Sequence, residues 1–249
     1  MKATLYSVQG KALKQIELPD VFESPARADL VKKAVLSEES KTYQVKGSYR
    51  YAGLETSARY RGRKEDYGAV KNKGIPHLPH EVLPEGQFGK VKRVPLAVKG
   101  RRAHPPKTAK KIVELMNKKE YRKALASAIA FTANRDAVAK RIKTEVNLAI
   151  PIVMEKDFEK LKKTKDVLKA LQALNLMPLL ERSRKNSTRS MLVVVSDGSM
   201  MKSAANIAGV DVVKVSDLEV RHLAPGTHPG RITLFSENAL PEIAKRLEA

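Results

Sequence analysis

The sequence predicts an α/β fold, a mainly parallel sheet flanked by helices with one very long basic extended loop, and three observations carry that prediction. From Asn147 onward, short continuous apolar runs alternate with amphipathic stretches, the pattern of parallel strands buried on both faces and joined by crossover helices. The run Met191–Val195, M-L-V-V-V, is the clearest of those strands. Between Lys46 and Arg102 the patterning fails: Gly47, Gly53, Gly62, Gly68, Gly74, Gly86, Gly89 and Gly100 recur there with Pro76, Pro79, Pro84 and Pro95, residues that interrupt helix and strand alike. A structureless stretch of that length inside a compact chain is uncommon, and is either functional or a linker. The expected division is a globular α/β domain from 1–45 and 103–249, with 46–102 as the extended loop.

Taken in order, Thr4–Val8 reads as a short strand, Gln9-Gly10-Lys11 as a turn, and the weakly alternating Leu13–Leu18 as a second strand. Ser24-Pro25 has the form of a helix start, serine as N-cap and proline at the first helical position. Leu30, Val31, Ala34 and Val35 then share one face, and that helix is expected to end near Ser40. Beyond the loop, Ala103–Lys107 restarts ordered structure, and Thr108 is placed to cap a helix carrying Ile112, Val113, Leu115 and Met116. A second helix carries Tyr121, Leu125, Ala128 and Ile129, and a third spans Asp136–Ile142. Lys110, Lys111, Lys118, Lys119, Arg122, Lys123, Lys140, Arg141 and Lys143 fall on their outer faces, a solvated surface or an extension of the binding footprint.

Leu148–Met154 reads as a buried strand, although Pro151 removes an amide from its ladder. Asp157–Leu174 is an amphipathic helix through Phe158, Leu161, Val167, Leu168, Leu171 and Leu174. After Met191–Val195, the turn Ser196-Asp197-Gly198-Ser199 opens a helix holding Met200, Ala204 and Ile207. Val210–Val215 is the next strand, Val220–Gly230 a loop and Ile232–Phe235 the last strand. Ser236 is placed to cap a final helix carrying Leu240, Ile243 and Leu247.

Composition narrows the function. With 42% hydrophobic residues among 249, the chain can build a real core. A net charge of +21 asks for an acidic partner, nucleic acid before an anionic membrane. Trp is absent and no apolar run is long enough to cross a bilayer, so no membrane partner is expected. The N-terminal ten residues lack the apolar core of a signal peptide, and zero Cys removes disulfides and cysteine-ligated zinc, which together point to the cytoplasm.

The charge is concentrated in the loop. Residues 46–102 hold 14 Lys and Arg against 5 Asp and Glu, so this 57-residue stretch carries nine of the 21 net positive charges. Tyr49, Tyr51, Tyr60, Tyr67 and Phe88 are interleaved with the cations. Cations neutralise phosphates, aromatic rings and arginine planes stack on bases, and glycine lets backbone approach a phosphate closely. RNA binding is the reading that uses all three; a disordered basic linker leaves the tyrosines unexplained. The candidate RNA-binding residues are Tyr49, Arg50, Tyr51, Ser57, Arg59, Tyr60, Arg61, Arg63, Lys64, Lys71, Lys73, His77, His80, Lys90, Lys92, Arg93, Lys99, Arg101, Arg102, His104 and Lys107.

Other chemistry is weak. His77, His80 and Glu81 have the look of metal ligands, but Pro79 prevents a helix from aligning the rings and no third ligand follows, so no metal is expected. Gly86–Val91 imitates a phosphate loop, yet Pro84 and Val91 stand where a Walker motif needs glycine and Ser or Thr. The Ser196–Ser199 turn follows a parallel strand, where α/β folds bind ligands, but no glycine fingerprint accompanies it. Helix capping by Ser199 and a glycine turn explain it as well. No catalytic set and no cofactor are expected.

Two loop runs, Glu55–Lys64 (E-T-S-A-R-Y-R-G-R-K) and Val94–Lys107 (V-P-L-A-V-K-G-R-R-A-H-P-P-K), resemble the large-subunit ribosomal protein L-four family in its archaeal and eukaryotic form, as does Asp217–Leu240. The resemblance covers essentially the whole chain. It implies a structural constituent of the large ribosomal subunit, not an enzyme, whose globular domain sits on the surface while the long loop penetrates the rRNA. It implies an inward limb with Ser57, Arg59, Arg61, Arg63 and Lys64, and a returning limb with Lys90, Lys92, Arg93, Lys99, Arg101 and Arg102. The loop tip, somewhere between Arg61 and Lys92, would line the nascent-peptide exit tunnel. Expected partners are therefore large-subunit rRNA, neighbouring large-subunit proteins and the nascent peptide. Two other functions stay open from the residues: an RNA-modifying enzyme with a nucleotide cofactor at Ser196–Ser199, and a free RNA-binding regulator. Such an arm, lacking a core of its own, is expected to order only on RNA.

Overall fold

The structure is a computed structural model, and it describes residues 1–142 and 149–248. Along the chain these form strands β1 (Lys2–Tyr6) and β2 (Ala12–Glu17), helix α1 (Ala28–Ser40), and strands β3 (His80–Val82) and β4 (Phe88–Val91). Helices α2 (Lys118–Ala133) and α3 (Arg135–Arg141), strand β5 (Ile152–Met154), and helices α4 (Thr164–Ala173) and α5 (Met177–Asn186) follow. Strand β6 (Met191–Val195), helix α6 (Met201–Ala204), strand β7 (Val210–Lys214), helix α7 (Val220–Leu223), strand β8 (Ile232–Ser236) and helix α8 (Ala239–Glu248) complete the series. The chain divides into two compact units, Met1–Thr42 with Val113–Ala249, and Tyr43–Ile112.

The first unit is the α/β body. Its six strands run in the order β2-β1-β5-β8-β6-β7, with every pairing parallel except the β1–β2 hairpin. Successive strand side chains point to opposite faces, so each apolar strand feeds two cores. Leu192 and Val194 of β6 join Val153 and Phe235 against Val31 and Val35 of α1, Leu125 and Ile129 of α2, Val220 of α7 and Ile243 of α8. Met191, Val193 and Val195 face the other way, with Met154 and Leu234, onto Val167 and Leu171 of α4 and Leu179 of α5. All five β6 side chains are buried, each stabilising the fold by about 2 kcal/mol as an upper estimate. Strand β2 is an exposed edge on which only Ile16 is partly buried, hence the weak alternation.

Several elements differ from expectation, each for a local reason. Helix α1 starts at Ala28, not Pro25: Asp20–Glu23 forms a 3-10 turn, and Ser24, ahead of proline, is extended at ψ 148°. The helix entrance is fixed from α2, whose Ser127 hydroxyl accepts the Arg27 amide at 2.7 Å. No helix follows Thr108. The Glu114 carbonyl and amide are taken by the Ser37 and Ser40 hydroxyls of α1 at 2.6 and 2.9 Å, and helix waits until Lys118. The expected strand from Leu148 is seen as β5, with Leu148 and Asn147 outside the described residues, as is Lys143. The expected helix Asp157–Leu174 is a 3-10 turn, a break, then α4; the Leu161 carbonyl in the break accepts from Ser203 at 2.8 Å. A 3-10 turn over Gly198–Met200, with Ser199 inside it, precedes the four-residue α6, which stops short of Ile207. Helix α8 begins at Ala239, three residues past Ser236. Helix α5 is an addition to the expected elements, although Pro178 marks its first turn.

Within the expected loop 220–230, α7 makes one turn because Glu38 reaches it from α1. The buried Glu38 carboxylate accepts the Val220 and Arg221 amides at 3.0 and 2.7 Å and the Tyr121 hydroxyl at 2.7 Å. Burial pushes the Glu38 carboxyl above its ordinary range against those three hydrogen bonds, and burial together with Glu38 pushes the Tyr121 phenol up.

The β1–β2 turn depends on Gly10. Its φ is +78°, and a Cβ there would lie 2.6 Å from the Ala173 carbonyl oxygen at the end of α4. Gly10→Ala is expected to destabilise the chain by about 2 kcal/mol, from left-handed backbone and a backbone collision together. Urea unfolding should show a lower midpoint with an unchanged m-value.

Candidate nucleic-acid interface

The second unit, Tyr43–Ile112, has almost no interior. Of its residues only Ala58, Ala69, Val70 and His80 are buried. It nevertheless holds regular structure where sequence reading expects none: β3 and β4 pair antiparallel, with His80 opposite Val91 and Val82 opposite Phe88. Arg59 adds a bridge, its amide donating to the His80 carbonyl at 3.0 Å, and the Lys92 amide donates to the Pro79 carbonyl at 3.0 Å. Glycine and proline punctuation hides a hairpin this short, because Gly86 sits in its connection and Gly89 within β4.

Side chains finish the hairpin. Both His80 ring nitrogens lie 3.1 Å from backbone carbonyl oxygens, those of Gly89 and Pro76, and the ring meets Phe88 edge-on at 5.7 Å. His80, which sequence reading nominates for RNA, is thus an internal brace. Arg61 is half-buried and donates to the Tyr67 carbonyl at 3.0 Å; Lys92, also half-buried, reaches the Val98 carbonyl at 3.4 Å. Arg93 donates to the Ala58 carbonyl at 3.3 Å.

The other candidates lie on the surface. Tyr49, Arg50, Tyr51, Ser57, Arg59, Tyr60, Arg63, Lys64, Lys71, Lys73, His77, Lys90, Arg93, Lys99, Arg101, Arg102, His104 and Lys107 are all exposed. Tyr49, Tyr51 and Tyr60 are each more than half exposed, and Tyr67 is 78% exposed, so their ring faces are open to a partner. Cations and rings already pair in part: Arg50 lies 5.9 Å from the Tyr51 ring centre, Lys73 5.2 Å from that of Phe88, and Tyr49 and Tyr51 meet edge-on. The surface offers cations and π-faces side by side, the two groups that hold phosphates and bases.

The α/β unit contributes differently. At the Ser196–Ser199 turn the Ser196 amide donates to Glu159 Oε1 at 2.8 Å, the Ser199 hydroxyl to the Glu159 carbonyl at 2.8 Å, and the Ser196 hydroxyl to Glu242. These polar groups tie the turn to its own fold. At the opposite ends of the strands, a cleft of about 800 Å³ is lined by Lys140, Arg141, Arg182 and Arg189. Lys140 and Arg141 fall on an expected outer helix face, whereas Arg182 and Arg189 carry no local signal in the sequence; Arg182 lies on the unexpected α5. Arg141 is structural, donating to the Pro225 carbonyl at 3.0 Å and to that of His228, and burial lowers its pKa with Arg231 adding to the effect. Among the described residues no helix is long and apolar enough to cross a membrane.

Against this geometry the comparisons with known proteins are decisive. The model of the Ribosomal protein L4/L1 family matches residues 16–246. The chain belongs to this family. It is similar to Large ribosomal subunit protein uL4 of Haloarcula marismortui, 38% identical over 260 residues that cover 99% of this chain and all of the relative. The uL4 protein of Methanocaldococcus jannaschii is 39% identical over 265 residues, with both chains fully covered. That of Methanococcus vannielii is 40% identical over 264 residues, 99% of this chain and all of the relative. Ribosomal protein L4/L1 family membership makes the chain a structural constituent of the large ribosomal subunit, an rRNA-binding protein of translation and not an enzyme. The cofactor reading of the Ser196–Ser199 turn is accordingly set aside.

Proposed function

We propose that residues 46–102 form the part of this ribosomal protein that reaches into large-subunit rRNA, anchored by a globular part from 1–45 and 103–249. The observation that carries the reading is the exposed set of cations and tyrosines on a unit with four buried residues. A segment with so little interior gains its stability from a partner, and a polyanion with stacked bases complements both kinds of side chain. Ser57, Arg59, Arg61, Arg63 and Lys64 serve one limb; Lys90, Lys92, Arg93, Lys99, Arg101 and Arg102 serve the other. Tyr49, Arg50, Tyr51, Tyr60, Lys71, Lys73, His77, His104 and Lys107 extend the contact, while His80 keeps the hairpin in shape. The tip between Arg61 and Lys92 faces the nascent peptide in the exit tunnel, and neighbouring ribosomal proteins meet the globular part, in ribosomes of the cytoplasm.

Sedimentation of a native extract through a high-salt cushion tests the reading. The chain is expected to remain with the large subunit, because an embedded loop is held by many phosphate contacts and by geometry. Release into the supernatant at high salt would mark a peripheral binder and defeat the proposal.

A further inference from the structure

The stretch from Val94 to Gly100 folds into a closed knuckle. The Ala97 amide donates to the Val94 carbonyl at 3.1 Å and the Gly100 amide to the Ala97 carbonyl at 3.0 Å. Lys92 closes the base of the loop through the Val98 carbonyl. Gly100 is required there, since a Cβ would fall 2.0 Å from the Val94 carbonyl oxygen. The knuckle turns its apolar side chains outward: Leu96 is 76% and Val98 81% exposed, with Pro95 exposed between the same turns.

Two features say what this apolar tip meets. Residues 86–113 contain no Asp or Glu and nine Lys or Arg, so the surroundings favour a polyanion over an ordinary protein surface. Arg93 and Lys99, at the two ends of the knuckle, hold left-handed backbone at φ 70° and 61°. Glycine would adopt that conformation without strain, yet long cationic side chains stand at both positions. Strain tolerated at a pair of cations points to a use for the charges.

We infer that the knuckle is an RNA wedge: Leu96 and Val98 pack against base faces or between base steps, and Arg93 and Lys99 hold the flanking phosphates. The inference rests on the rRNA-binding reading above and adds an apolar, salt-independent contact to it. Apolar side chains inserted at a base step exchange water for a π-face, a contribution that counterion release does not touch.

The test uses the full-length chain and protein-free large-subunit RNA, with affinity measured across a series of KCl concentrations. Leu96→Ser with Val98→Ser is expected to bind about tenfold more weakly at every salt concentration, with the slope of log K against log salt unchanged. Both side chains are exposed, so the variant keeps its fold. Arg93→Gly with Lys99→Gly preserves the left-handed backbone and is expected to lower the slope by about two, one for each phosphate that is no longer neutralised. Serine variants that bind as tightly as wild type would overturn the wedge, and their failure to join the subunit despite that would assign the knuckle to a protein neighbour. A loss in the serine variants that follows salt would overturn it equally. Absence of binding by the wild-type chain would instead defeat the rRNA reading itself.

Discussion

Replacing Arg59, Arg61 and Arg63 together by alanine is expected to weaken binding to protein-free large-subunit RNA by about two powers of ten at 0.1 M salt. Each phosphate contact releases condensed counterion and contributes about 0.7–0.9 to the slope of log K against log salt, so removing three lowers that slope by about two to three. Arg59 and Arg63 are exposed, and their loss should act almost wholly through charge. Arg61 also bonds the Tyr67 carbonyl, so part of its effect passes through the shape of the 61–70 turn, which the Val70 amide to Arg61 carbonyl bond of 3.1 Å closes. A control separates local binding from net charge. Lys162, Lys163 and Lys165 are exposed on the α/β unit, and their replacement by alanine removes the same three charges. That variant should keep the wild-type slope. Equal flattening in both variants would mean that RNA senses only the overall field, and that the 59–63 arginines have no particular place.

How far the sequence discloses this molecule depends on the range of the interaction responsible. Strands β5, β6 and β8 are legible because an interior parallel strand, covered on both faces, is largely apolar, and M-L-V-V-V leaves little else to be. Strand β7, at the sheet edge, shows through its three valines although Asp211 and Lys214 interrupt them. The face of α1 is legible from Val31, Ala34 and Val35 for the same reason. Its start is not, because the Ser127 hydroxyl that receives the Arg27 amide lies a hundred residues away. The irregular path to Lys118 is set by Ser37 and Ser40, and α7 by Glu38, again at long separation. In the basic segment the types of residue announce the partner, but burial decides their roles. His80 is indistinguishable from His77 in the sequence H-L-P-H; in the fold one is a brace and the other is exposed. The cationic cleft escapes notice because Arg182 and Arg189 meet Lys140 only through tertiary packing.

Arg231→Met is expected to destabilise the α/β unit by about 3 kcal/mol. Arg231 directly precedes β8 and its side chain is wholly buried; burial lowers its pKa while Asp211 opposes the shift. Its guanidinium donates to the Met191 carbonyl at 2.6 Å, the His222 carbonyl at 2.9 Å and Asp211 Oδ2 at 2.7 Å. One side chain therefore joins β6, β7 and α7 at the same end of the sheet. Methionine fills much of the volume but leaves two carbonyls without that donor and a carboxylate without its closest partner. Removing one member of a buried ion pair costs about 3–5 kcal/mol, and the low end applies here because the Asp211 side chain is 32% exposed and can recover water. In a thermal scan the loss corresponds to a fall of roughly 6–12 °C. Adding Asp211→Leu should restore part of the stability, since an apolar pair in place of a buried ionic one is close to neutral, although Arg189, 3.8 Å from the same carboxylate, then loses its own partner. If the double variant were less stable than Arg231→Met by the full cost of a second lesion, the carbonyl bonds and not the ion pair would be what Arg231 contributes. The two carbonyls belong to the backbone of β6 and α7, so that outcome would make the guanidinium a clamp between sheet and helix rather than a counterion.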